Sequence, residues 1–152
     1  MLIDDTDRRI LRHLLSEPGL ATADLAERAG VTAATCWRRL ERLVEGGILR
    51  GQHAVVDWRA LGWAVEVSLR FTLDKTNPRA FDEFLDAARN VPEVIEIQTF
   101  LGRVDVRLNV IARDMGHYQE VYRDRILTLP HIADIESLML VSTIKDSGSL
   151  PL

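Results

Sequence analysis

Three arginines, Arg38, Arg39 and Arg42, fall within five residues. A guanidinium presents paired donors that fit a guanine edge or a phosphate. At about 100° per residue, Thr35, Arg38 and Arg42 share one side of a helix, with Arg39 flanking them. Cys36, Leu40, Leu43 and Val44 form an apolar stripe on the other side, with Ala33 and Trp37 beside it. That pattern places a basic face outward and makes Cys36 a small buried core residue. At the edge of the stripe, Trp37 can pack against a neighbouring helix or contact a groove. Taken alone, the arginines are equally consistent with a solvated face paired to Glu41 and Glu45.

The elements around this face decide between the two readings. Ile10, Leu11, Leu14 and Leu15 recur at helical spacing after Asp4 or Asp5 as cap, and Pro18-Gly19 ends that helix. Thr22 is the expected cap of a short second helix carrying Leu25, Ala26 and Ala29 inward and stopping at Gly30. Thr32 caps a third helix running to about Glu45, ended by Gly46-Gly47. Helix, tight glycine-containing turn and helix make a helix-turn-helix, whose second helix enters the major groove with its first amides near phosphates. Ile48-Leu49-Arg50-Gly51 is expected to form a strand after it, giving a winged type of fold.

Other chemistries find little support. One cysteine excludes an internal disulfide, and His13, His53, His117 and His131 are too scattered for a metal site, so neither metal nor cofactor is expected. No nucleophile-base pair or glycine-rich phosphate loop is present, and isolated acids such as Asp105 do not make an enzyme. The apolar runs are too short to span a bilayer and the opening residues lack a secretory pattern, so the chain is expected in the cytoplasm. The net charge of -4 opposes nucleic-acid binding at face value. Its distribution does not: residues 1–60 carry nine Arg and nine Asp/Glu, and the acidic excess lies beyond them.

Residues 1–50 are therefore expected to form a helix-turn-helix domain, 51–62 an extended linker and 63–152 a second domain. Val65, Val67, Leu69, Phe71 and Leu73 alternate with polar residues in a strand. A helix opened by Asn77-Pro78 follows, then strands at about 94–101 and 104–112, a helix from Asp114 to about Leu127, and a strand from Ile135 to Ile144. Leu129-Pro130-His131-Ile132 echoes Val91-Pro92-Glu93-Val94 after the two helices. Two such units predict an α+β, ferredoxin-like βαββαβ sheet with both helices on one face. The last strand is apolar on both sides, so a second copy of the chain is expected to cover the bare face.

The whole chain resembles the Lrp/AsnC (feast/famine) regulators. The resemblance is carried by Leu25-Ala26-Glu27-Arg28-Ala29-Gly30-Val31-Thr32, Cys36-Trp37-Arg38-Arg39-Leu40-Glu41-Arg42-Leu43, Gly47-Ile48-Leu49-Arg50-Gly51 and Gly102-Arg103-Val104-Asp105. It implies a homodimer, often a tetramer or octamer, that binds double-stranded promoter DNA and takes an amino acid or related metabolite as effector. By position it assigns Thr32, Thr35, Trp37, Arg38, Arg39 and Arg42 to DNA binding. Leu101, Gly102, Arg103, Val104 and Asp105, with Glu136 and Ser137, match the effector region. Family members commonly place aromatic residues where Val104 and Val106 stand. From the residues alone, Gly102 and Asp105 are also consistent with a hairpin turn bearing a solvated carboxylate. The alternative function is a metabolite-sensing module whose N-terminal helices bind protein instead of DNA.

Overall fold

Asp4 opens the first helix, α1 (Asp5–Ser16), through a reciprocal cap: its Oδ1 accepts the Asp7 amide at 2.9 Å, and its own amide donates to Asp7 Oδ2 at 3.1 Å. The computed structural model describes residues 2–146 and 150–152. Helix α2 spans Thr22–Ala29. Thr22 is its first residue and not its cap; Ala21 takes that position without a side-chain bond. Gly30 ends α2 at φ 68°, the left-handed geometry that a glycine adopts without strain. Thr32 caps α3 (Ala33–Glu45), its Oγ1 accepting the Thr35 amide at 3.2 Å. Ile10, Leu14, Leu25, Ala26, Ala29 and Cys36 bury the common face of these three helices. The expected strand at 48–51 is absent; these residues are bend and coil, and among the described residues nothing pairs with them in a ladder.

The second unit holds four strands, β1 (Val65–Leu73), β2 (Val94–Thr99), β3 (Val106–Ala112) and β4 (Ile132–Met139), with α4 (Ala80–Arg89) and α5 (Met115–Val121). The order β2-β3-β1-β4, antiparallel throughout, is the expected ferredoxin-like arrangement. Val67, Leu69, Phe71, Leu108 and Val110 meet Phe84, Ala88, Val121 and Ile126 in its core. Phe71 and Phe84 lie in tilted contact, 5.0 Å between ring centres.

Three elements differ from their expected form. β4 begins three residues earlier and ends at Met139 instead of Ile144. α5 does not run unbroken to Leu127 but passes into a π-helical turn, Tyr122–Ile126, closed by the Leu127 amide on the Tyr122 carbonyl at 2.9 Å. Five-residue spacing keeps both Val121 and Ile126 buried, whereas Met115 stays on the surface. The chain divides into two compact units at Val55/Val56, and residues 144–146 and 150–152 group with the first: the Arg12 Nε donates to the Leu152 carbonyl at 2.9 Å.

The open face of the sheet is largely polar, not a bare apolar surface. Arg70 faces Glu136, Asn109 donates to Glu66 at 2.8 Å, and Arg107 pairs with Glu96 at 2.7 Å. On β4 its exposed apolar residue is Leu138, opposite Ser68; Met139, opposite buried Val67, is exposed on the helix side, and Val141 is exposed beyond the strand.

Candidate functional site

The capped N-terminus of α3 carries no acidic residue in its first turn, so its free amides and dipole present positive potential. Thr32 stands exposed at that end and donates its hydroxyl to Thr35 Oγ1 at 2.9 Å. Trp37 is 57% exposed and Arg38 is exposed too, with no ion pair or hydrogen bond among the described residues. Val44, expected in the apolar stripe, is instead exposed beside Trp37, and with Leu40, Glu41 and Glu45 they line a shallow groove of about 350 Å³.

Arg39 and Arg42 are placed otherwise than a free outer face requires. Arg42 Nη2 lies 2.5 Å from Asp7 Oδ2, and Arg39 Nη1 lies 3.2 Å from Asp7 Oδ1 while also pairing with Asp4. Asp7 is fully buried. Asp4 is held down to about 2, mainly by the Asp7 amide and then by Arg39, and the Arg39 guanidinium is raised in turn by Asp4. Arg38 is thus the one arginine of α3 without a carboxylate partner among the described residues; Arg42 is half exposed but paired with Asp7, and Glu41 and Glu45 are exposed on the same helix. The sign that could have pointed to this is the matched spacing of Asp4 and Asp7 on one helix and Arg39 and Arg42 on the other.

In the second unit a cleft of about 490 Å³ opens on the polar sheet face, lined by Arg70, Thr72, Arg103, Val104, Asp134 and Glu136. Three expected residues meet here, Arg103, Val104 and Glu136. Arg70, Thr72 and Asp134 escaped the sequence reading, although strand register pairs Arg70 with Glu136 and Thr72 with Asp134. The Thr72 hydroxyl donates to the Arg103 carbonyl at 3.1 Å, fixing the hairpin against β1. Among the described residues the Arg103 guanidinium and the Asp134 carboxylate have no ion-pair partner.

The remaining expected residues point elsewhere. Asp105 is buried, its Oδ2 accepting the Leu73 amide at 2.9 Å and its Oδ1 facing Lys75 Nζ at 2.8 Å. Burial pushes its carboxyl up, but the Lys75 and Leu73 bonds outweigh that and hold it below the usual carboxylate range. It is neither a solvated carboxylate nor open to a ligand. Leu101 and Gly102 form the fully exposed hairpin tip, with Gly102 at φ 151°. Ser137, in register with buried Leu69, lies on the helix side of the sheet, opposite Glu136. No group of His, Cys, Asp and Glu among the described residues could hold a metal ion.

A capped helix-turn-helix in one unit and a polar cleft on a four-stranded sheet in the other define a DNA-binding regulator with a separate ligand-binding domain. Residues 3–50 match a winged helix-turn-helix DNA-binding model, and residues 66–150 match the Lrp/AsnC ligand binding domain. The chain belongs to the Lrp/AsnC family of transcriptional regulators. It is 29% identical to the transcriptional regulator AzlB of Bacillus subtilis over all of this chain and 97% of that one. It is 33% identical to the HTH-type transcriptional regulator Rv2324 of Mycobacterium tuberculosis, covering 95% of each. The regulator NMB0573 of Neisseria meningitidis, solved as a complex with L-Met, superposes with a TM-score of 0.90 at 27% identity, covering 99% of this chain and 97% of that one. No described helix is long and apolar enough to cross a membrane.

Proposed function

We propose that this regulator reads double-stranded promoter DNA as a homodimer, that an amino acid bound in the sheet cleft modulates the reading, and that it performs no catalysis of its own. The observation that carries the proposal is the opposed pair in the cleft. Arg103 offers a guanidinium suited to a carboxylate, Asp134 offers a carboxylate suited to an ammonium, and Val104 stands beside them. A zwitterion satisfies both charges at once, and the L-methionine in the Neisseria relative is of that chemical class.

On the DNA side the reading rests on the first turns of α3. Its free amides, Thr32 and Thr35 approach phosphate, and Arg38 donates to a guanine edge with Trp37 able to cover a neighbouring thymine methyl. The expected contacts of Arg39 and Arg42 are not part of this reading, because both guanidiniums serve Asp7. Dimerisation is supported by the apolar end of β4 and supplies the paired reading heads of a symmetric operator.

The test is binding to the DNA upstream of the chain's own gene and to unrelated DNA, in a salt series with each amino acid added, with heat of binding measured for any amino acid that acts. Selective, salt-dependent binding that is lost in Arg38→Ala, and an amino-acid response lost in Arg103→Ala, support the reading. Absence of binding to any upstream DNA would point instead to helices that bind protein.

A further inference from the structure

We infer that Asp4 and Asp7 are positioning residues that set the DNA affinity of the reading helix by retaining Arg39 and Arg42 as their counter-ions. The inference rests on the DNA-binding reading above and adds to it which cations of α3 reach phosphate.

The geometry is closed on both sides. Asp7 has no exposed surface, and its two oxygens are taken by the Asp4 amide, Arg39 and Arg42. A buried carboxylate stripped of its partners is strongly unfavourable, so Asp7 keeps at least one arginine: Arg42 lies nearer to it at 2.5 Å, whereas Arg39, at 3.2 Å, depends on Asp4 for the rest of its hold. Arg42 is 42% exposed along its side chain, but its Nη2 is fixed on Asp7 Oδ2 and its Nε is buried without a partner. Arg39 is 22% exposed and is held twice, by Asp7 and by Asp4. Asp4 is half exposed and is the releasable member of the group.

The result is a helix with three arginines that acts on DNA as a helix with one. Arg38 remains available, and it stands among Glu41 and Glu45. Since every phosphate neutralised adds about 0.9 to the slope of log affinity against log salt, the number of withheld arginines is directly countable.

The experiment measures fluorescence anisotropy of two labelled duplexes, one from upstream of the gene and one unrelated, from 50 to 200 mM salt. The proteins are the full chain, Asp4→Asn, Arg39→Gln, their double variant and Arg38→Ala, each checked by thermal melting. Asparagine caps a helix about as well as aspartate, so Asp4→Asn keeps the start of α1. Asp4→Asn is expected to steepen the slope by about 0.9, an extra loss of about 3.5-fold over that salt range. Arg39→Gln keeps the parent slope, and in the double variant the steepening disappears. Arg38→Ala, which loses a base-edge contact, weakens binding to the upstream duplex and keeps the parent slope. A flatter slope in Arg39→Gln alone, an unchanged slope in Asp4→Asn, or a steepening that persists without Arg39 overturns the inference while leaving DNA binding intact. If the parent binds neither duplex, the DNA-binding reading itself fails and the inference falls with it.

Discussion

Lys75 Nζ lies 2.8 Å from Asp105 Oδ1, so the carboxylate that marks the hairpin between β2 and β3 is tied to the chain leaving β1. Asp105 also takes the Leu73 amide, and its own amide donates to the Phe71 carbonyl at 2.8 Å. Asp105→Ala leaves the Leu73 donor without its acceptor and is expected to cost about 1–3 kcal/mol in denaturant unfolding. Asp105→Asn, which can still accept that bond, should lose less. Equal losses in the two variants would show that the charge, and not the amide acceptor, matters there.

Asp4 predicts an acid response of the N-terminal unit. Its folded carboxyl lies near 2, below the unfolded value of about 3.9. Its contribution is therefore present above about pH 4 and lost as pH falls toward 2. The melting temperature of the parent should fall more steeply across that window than that of Asp4→Asn, which has no proton to gain there. Parallel curves would remove Asp4 from the account.

Cys36 has no exposed surface, and burial raises its thiol above the ordinary value. A thiol reagent at neutral pH should label the native chain slowly and the chain in guanidinium at once. Fast labelling under native conditions would mean that the three-helix core opens readily.

Gly30 has φ 68°, with nothing near enough to obstruct a Cβ. The cost of Gly30→Ala is then conformational alone, about 1–2 kcal/mol, and Gly30→Asn should cost less because asparagine tolerates this geometry. Differential melting of the two variants checks the order.

In the sheet cleft, Asp134→Asn and Arg103→Gln each remove one end of the proposed zwitterion contact. Each should weaken amino-acid binding about tenfold or more, as expected for a lost charged hydrogen bond of 1.5–3 kcal/mol, without altering the melting temperature of the unliganded chain. Calorimetric titration with methionine provides the measurement, and unaltered binding in both variants would place the ligand elsewhere.

How much of this was legible in the sequence depended on the range of the interaction. Local signals served well: Thr32 caps α3, Gly30 turns the chain, and the alternation from Val65 to Leu73 marks the central strand. The helical wheel correctly set Thr35 and Arg42 away from Cys36 but carried no information about what approaches that flank. Asp7 reaches it from 35 residues away. Periodicity likewise did not foresee that α5 relaxes into a π turn that seats Ile126. One error was avoidable from elementary geometry. Glu136 and Ser137 are adjacent on a strand and must face opposite ways, so a single site could not use both side chains. The same rule, applied to β1, would have brought Arg70 and Thr72 beside Glu136.

Trp37 and Arg38 are the exposed pair on a helix whose other two arginines are committed to the fold. Substituting either of the pair disturbs little beyond the surface, typically within about 0.5 kcal/mol, whereas Arg39 and Arg42 cannot change without unsettling Asp7. Under the proposed reading, operator preference rests on two neighbouring codons that can change while the ion-paired scaffold beneath them stays as it is.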